Sequence, residues 1–178
     1  MRKIFLLAAI ICLVVSGTAF AARNYQNVGV VIIGGADFKT DDFYKIVRNE
    51  LKSKSGAKIF VGNEMQTLYK KYWLREGYIG EQPPQKRDLI NFAAMSGYKK
   101  VVCIIVADSV VDRHNNAKRR EKDRVSVQLD AYLCTPTTVE DVFSASDEEL
   151  SKTSNLRAHR GAFQKCLKEI SKTLNKHL

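Results

Sequence analysis

The stretch VVCIIVA at positions 101–107 decides the fold class, because it is the most apolar strand-like segment beyond the N-terminal region. A continuous apolar run without alternation is typical of a β-strand that is covered on both faces. The run at 27–33 has the same character and ends at Gly34-Gly35. The sequence therefore predicts that 27–33 is covered on both faces and that 101–107 has a central position in the sheet.

The segment RVSVQLDAYLC at 124–134 has a different pattern, in which apolar and polar residues alternate. Val125, Val127 and Leu129 begin the apolar face, while Ser126, Gln128, Asp130 and Tyr132 lie on the other. This alternation predicts a half-exposed strand, most simply antiparallel to 101–107. Pro136 ends the strand, and 138–145 is predicted as a short edge strand.

Helical patterns fill most of the remaining chain. Helices are predicted to begin near Thr40, Asn63, Gln85 and Asn155, with Thr40 as a capping residue and a capping box from Asn63 to Gln66. The buried stripe predicted for the last helix, 155–176, consists of Leu156, Phe163, Leu167, Ile170 and Leu174. With a short strand at 58–61, the order is β-α-β-α-α-β-β-(β)-α. We expect a single α/β domain with about four helices and a mixed sheet of about four to five strands, the first three of them parallel.

The N-terminus has the three parts of a secretory signal peptide. Arg2 and Lys3 precede an uncharged apolar run at 4–15, and Ala19-Phe20-Ala21 matches the cleavage pattern. We predict cleavage of residues 1–21 and an exported domain at 22–178. The apolar run is shorter than the roughly 20 residues of a membrane span, and Thr18 stands where a lipobox would have cysteine. We therefore expect neither a transmembrane nor a lipid anchor, and a periplasmic or secreted location.

The chain is basic, with a formal net charge of +10. A basic exported protein is attracted to anionic surfaces and polymers. Three cysteines follow the predicted cleavage site: Cys103, Cys134 and Cys166. Their apolar surroundings favour buried, unmodified thiols, and a bridge between Cys103 and Cys134 is the alternative.

No motif in the sequence predicts a catalytic centre, a cofactor or a metal site. Gly34-Gly35 follows a strand and precedes a helix, so it is either an anion seat or, as we favour, a turn. Asp37, Asp41 and Asp42 lack the spacing of a calcium loop, and helix capping accounts for the last two. The aromatic residues Tyr69, Tyr72 and Trp73 favour core or rim packing over a sugar platform.

One charged segment stands out, at 112–124. Its basic residues, the candidate binding residues of this chain, are Arg113, Lys118, Arg119, Arg120, Lys122 and Arg124. We interpret it as a long connection between two strands that is either a binding surface or a solvated loop. The segment 140–149 is acidic and has no basic residue, so the two segments could pair head to tail between copies.

The opening strand 27–33, KKVVCIIVADSVV at 99–111, RVSVQLDAYLCTP at 124–136 and the closing helix 155–176 together resemble a known group of domains. This is the small periplasmic α/β domain of the TolB N-terminal domain, the curli secretion channel subunit and the lipoprotein activators of penicillin-binding proteins. The resemblance covers nearly the whole predicted mature chain. It implies an assembly or interaction module without catalytic residues.

We therefore expect a non-catalytic envelope module that docks on a protein partner or on itself. A binder of anionic polymers or surfaces through 112–124 is the first alternative, and a secreted enzyme with a site assembled from scattered residues is the second. Salt distinguishes the first two, because polymer binding weakens steeply as the salt concentration rises.

Overall fold

The computed structural model describes residues 27–80, 82–107, 110–115, 121–151 and 154–178, with the backbone alone at 110–115, 121–123, 141–142 and 151. The predicted signal peptide, 1–21, lies outside these ranges. The strands are β1 (Val28–Ile33), β2 (Ile59–Val61), β3 (Lys100–Val106), β4 (Val110–Asn115), β5 (Glu121–Cys134) and β6 (Val139–Ser151). The helices are α1 (Asp41–Glu50), α2 (Asn63–Arg75), α3 (Lys86–Ser96) and α4 (Asn155–Leu174).

The strands form one mixed sheet in the order β2-β1-β3-β5-β4, and β6 pairs with the free side of β5. β1 pairs in parallel with both β2 and β3. β5 is antiparallel to β3, β4 and β6. The α/β class, the parallel first three strands and the antiparallel placement of 124–134 are thus confirmed.

Two apolar cores lie on the two faces of the sheet. On one face, α1 and α4 cover alternate residues of β1, β3 and β5, including Ile32, Ile104 and Leu129. On the other face, α2 and α3 cover β1, β3, part of β2 and the adjoining ends of β5 and β6, with Tyr72 and Phe92 fully buried. The predicted central position of β3 is confirmed, since β3 lies between β1 and β5 and its residues Val101–Ile104 are all buried.

Two details of the helix termini differ from the sequence interpretation. Thr40 precedes α1, but its side chain makes no capping hydrogen bond. Asn63 is already the first residue of α2, so the capping box with Gln66 does not form. A capping box forms instead at α3, where the Asp88 carboxylate accepts from the Gln85 backbone N–H at 2.9 Å.

The last helix ends at Leu174, and Leu156 in its first turn is 49% exposed, contrary to the prediction that it belongs to the buried stripe. The other four predicted stripe residues are buried. Helical spacing extends to Leu156, but in this first turn the buried residue is Ala158 instead.

The strand boundaries need larger corrections. β5 begins at Glu121, not at 124, and β6 runs to Ser151, not to 145. The residues that were missed are mostly charged, so they lack the apolar alternation on which strand prediction depends. Their pairing with neighbouring strands nevertheless makes them part of the sheet.

Candidate functional site

The basic segment 112–124 is not a simple connection between strands. Residues 112–115 belong to β4, and 121–124 belong to β5, which pairs with β4 from Val110↔Ser126 to Asn115↔Glu121. Arg113, Lys122 and Arg124 are therefore strand residues, whereas Lys118, Arg119 and Arg120 lie outside the described residues. The interpretation as a long loop is wrong, because 112–115 and 121–124 pair as strands. The segment 112–124 lacks the apolar alternation on which strand prediction depends.

The hairpin register places opposite charges across from each other. Asp112 is opposite Arg124, and Arg113 is opposite Asp123. Opposite-charge pairs at facing positions stabilise antiparallel strands by a few tenths of a kcal/mol to about 1 kcal/mol. The assignment of the basic residues of this segment to ligand binding remains a prediction.

The acidic segment is also engaged within the chain. On β6, Glu148 forms an ion pair of 2.7 Å with Arg124 of β5. The α4 residue Lys165 approaches Asp147 at 3.7 Å and Glu149 at 2.5 Å. Lys100 also lies 4.0 Å from Glu140. These contacts weaken the argument for head-to-tail pairing of acidic and basic segments between copies, because four of the five carboxylates already have cationic neighbours.

The two sides of the β5–β6 ribbon have very different environments. On the α4 side, the β5 residues Val125, Val127 and Leu129 are completely buried. On the other side, Gln128 is exposed, and it lies directly opposite the exposed Ser146. We call this second side the open face. It comprises Arg124, Ser126, Gln128 and Asp130 of β5 with Ser144, Ser146 and Glu148 of β6.

The open face carries hydroxyl, amide and charged groups and is partly or fully exposed along its length. Tyr132, which the alternation also placed there, instead packs against the α2–α3 core. The sequence predicted the β5 half of this surface. It missed Ser146 and Glu148 because β6 was predicted to end at residue 145. The surface offers hydrogen-bond donors and acceptors on a rigid sheet.

The three cysteines are buried free thiols. Cys103 and Cys134 face the α2–α3 core, and the hydrogen bond between their side chains, together with burial, raises the pKa of the Cys103 thiol. Burial and the nearby Asp147 carboxylate raise the pKa of Cys166 to about 11. A thiol reacts as a nucleophile through its thiolate, and the raised pKa values of Cys103 and Cys166 disfavour that form at neutral pH.

A cleft of about 500 Å³ lies where β1 and β2 end, beside α2. Trp73 does not offer a platform to it, because its ring stacks on Tyr78 with centroids 4.1 Å apart and is 8% exposed. The predicted packing role of the aromatic residues is confirmed for Tyr72 and Trp73, which belong to the core.

In the described part of the chain, the buried Tyr69 hydroxyl and Gln66 Nε2 have no hydrogen-bond partner. Both groups line the α2 region next to this cleft.

No protein-family model and no curated protein matches the sequence. Solved structures with a similar arrangement include the lipoprotein GNA1162 from Neisseria meningitidis, with 15% identity and a TM-score of 0.44, covering 85% of this chain and 96% of that one. The hypothetical protein CT253 from Chlamydia trachomatis has 9% identity and a TM-score of 0.43, with coverage of 85% and 96%. A PelC dodecamer from Paraburkholderia phytofirmans has 13% identity and a TM-score of 0.40, with coverage of 85% and 87%.

Among the residues that the structure describes, no helix combines the length and the apolar character that a membrane crossing requires.

Proposed function

We propose that this chain is an exported, non-catalytic module of the cell envelope that docks a protein partner through the open face of β5 and β6. In the case of self-assembly, the partner that docks on this face is a second copy of the chain. Its location would be periplasmic or secreted, as the pattern of residues 1–21 suggests.

The observation that carries the proposal is the uneven cover of the sheet. Helices pack on both faces of β1 and β3. On the second face of β5 and β6, the α2–α3 core reaches only Tyr132, Cys134 and Val139, and the described helices leave the rest of that face uncovered. The exposed side is rigid, because the residues beneath it, such as Val127 and Leu129, are fully buried. A pre-organised polar surface loses little conformational freedom when it binds, which favours recognition of a partner.

The sequence resemblance to the TolB N-terminal domain and related periplasmic domains supports the same proposal, since that group looks like assembly and interaction modules. A resemblance in fold does not assign a partner. The partner therefore has to be identified by an experiment that depends on the open face itself.

The test introduces two arginines at the centre of the open face, by Gln128→Arg with Ser146→Arg. These residues face each other across β5 and β6. Two bulky cations there should abolish retention of an envelope protein that the unaltered chain retains, and should leave the melting temperature nearly unchanged because both positions are exposed. Sedimentation measures whether the retained species is a second copy.

The matched control is Asn49→Arg with Ala94→Arg, which adds the same charge at exposed positions on α1 and α3. The control should retain the partner. Equal retention by both double variants would refute docking through the open face. Retention that disappears in high salt and depends on Arg119 and Arg120 would instead support the anionic-polymer alternative.

A further inference from the structure

We propose that a second surface, the lysine cleft, binds a compact anion that carries two or more phosphate groups. The lysine cleft lies at the pole of the sheet where β1, β2 and β3 begin, and it has a volume of about 690 Å³. It is lined by Lys54, Lys58, Lys99, Lys100 and Lys176, together with residues 27–28, 55–57 and 177–178. The inference is independent of docking through the open face.

The topology brings these lysines together. Lys58 immediately precedes β2, Lys99 immediately precedes β3, and Lys176 follows α4. Because parallel strands begin at the same edge of a sheet, residues that are far apart in sequence converge there. Volumes of roughly 300–1,000 Å³ are usual for sites that hold small ligands.

The charge of the cleft is largely uncompensated. Lys54, Lys58, Lys99 and Lys176 are exposed, and none of them forms an ion pair with a described residue. Lys100 is the exception, since its ammonium group lies 4.0 Å from the Glu140 carboxylate. Several cations that converge without carboxylate partners create a potential that attracts multiply charged anions.

The walls of the cleft are held in place. The Ser53 and Ser55 hydroxyls donate to the Leu178 oxygen at 2.7 and 3.0 Å. The Asn175 side chain accepts from the Lys52 backbone N–H at 2.9 Å and donates to the Glu50 carbonyl at 3.0 Å. These bonds fix the end of α4 against the loop between α1 and β2. The lysine stems thus project from a pre-organised backbone, which lowers the entropic cost of binding.

The chemistry favours a discrete phosphorylated ligand over a bilayer surface. Lysine binds phosphate as a point charge, and a cleft surrounds a compact anion better than it fits a flat membrane. Proteins that lie on membranes also insert apolar side chains. Among the described residues, the exposed large apolar side chains are Leu74, Ile79, Leu150 and Leu156, and none of them lines the lysine cleft.

The test titrates tripolyphosphate into the purified protein by calorimetry. The cleft variant is Lys58→Gln with Lys99→Gln and Lys176→Gln. The control is Lys71→Gln with Lys86→Gln and Lys168→Gln, which removes the same charge from exposed positions outside the cleft. Loss of three phosphate contacts should weaken binding by about tenfold or more in the cleft variant. The control should stay within about twofold of the unaltered chain.

The melting temperature of the cleft variant should be unchanged or raised, since mutual repulsion of the lysines is reduced. Three outcomes would overturn the proposal: no binding of tripolyphosphate at millimolar concentration, equal weakening in both triple variants, or binding only to vesicles that contain anionic phospholipid. The last outcome would identify the surface as a membrane contact.

Discussion

Gly34, at the end of β1, approaches Val106 of β3 so closely that a Cβ atom on Gly34 would lie 2.8 Å from the Val106 carbonyl oxygen. Gly34 also has a φ of +145°, which residues with a side chain rarely adopt. Its neighbour Gly35 has a φ of −53°, and a Cβ there would meet nothing nearer than 3.9 Å. The requirement for glycine therefore differs between the two positions.

We predict that Gly34→Ala lowers the free energy of unfolding by about 2 kcal/mol or more, through backbone strain and the contact with β3. Gly35→Ala should be neutral or should stabilise the protein by up to about 1 kcal/mol, because it reduces the freedom of the unfolded chain. Urea unfolding of both variants measures the difference. Equal destabilisation by the two alanines would contradict this account of the turn.

The Tyr69 hydroxyl is buried without a partner in the described structure, whereas the Tyr78 hydroxyl donates to the Asp88 carboxylate at 3.0 Å. The same chemical change should therefore have opposite effects. Tyr69→Phe should leave stability unchanged or raise it by about 1 kcal/mol, and Tyr78→Phe should lower it by about 1 kcal/mol. A clear loss of stability in Tyr69→Phe would mean that this hydroxyl has a bonding partner in solution.

Stability should fall in alkaline solution because of the buried thiols. The pKa of Cys166 is raised from 9.0 to about 11, so the folded state retains a proton that the unfolded state releases. The stabilising effect is complete below pH 9 and is lost as the pH rises toward 11. Urea unfolding between pH 7 and 10.5 under reducing conditions measures this slope. Cys166→Ala should make it shallower, and an unchanged slope would show that Cys166 does not contribute.

Charge reversal should affect stability at Arg124 but not at Arg119, Arg120 and Lys122 in the same basic segment. Changing Arg119, Arg120 and Lys122 to glutamate should leave thermal stability nearly unchanged. The same change should slow association with an acidic partner, and this decrease in the association rate should be smaller in high salt. Arg124→Glu should be more harmful, because it replaces the ion pair with Glu148 by a repulsion and costs about 1 kcal/mol. Thermal unfolding and binding kinetics measure both effects. Loss of folding in the triple variant would contradict the prediction.

The sequence predicted the parts of the fold that apolar periodicity determines. β1 and β3 were predicted from continuous apolar runs that are buried on both faces. The alternating part of β5 was predicted because its side chains are sorted between the core and the exterior. Most of β4 and the second half of β6 were missed because their residues are largely polar or charged and lack apolar alternation, so that only their pairing with β5 makes them strands.

The candidate sites were likewise predictable only where the apolar pattern of the sequence determines them. The open face was partly predicted, since alternation assigns Ser126 and Gln128 to the exposed side. The lysine cleft could not be predicted, because Lys54, Lys99 and Lys176 are far apart in sequence. Only the sheet topology brings them together. The pair Lys99-Lys100 was the only local signal, and a pair of lysines is common on any surface.

The length of β6 has a consequence for solubility. β6 spans 13 residues, and in the described sheet it pairs with β5 alone, so its outer edge presents a row of unpaired backbone groups. Such edges recruit strands from other molecules and start aggregation, unless charges keep those molecules apart. The carboxylates of Glu140, Glu148 and Glu149 have this protective position along β6. Their replacement by neutral residues would also remove the ion pairs with Lys100, Arg124 and Lys165. We expect the resulting protein to be somewhat less stable and more prone to precipitate through edge-to-edge pairing.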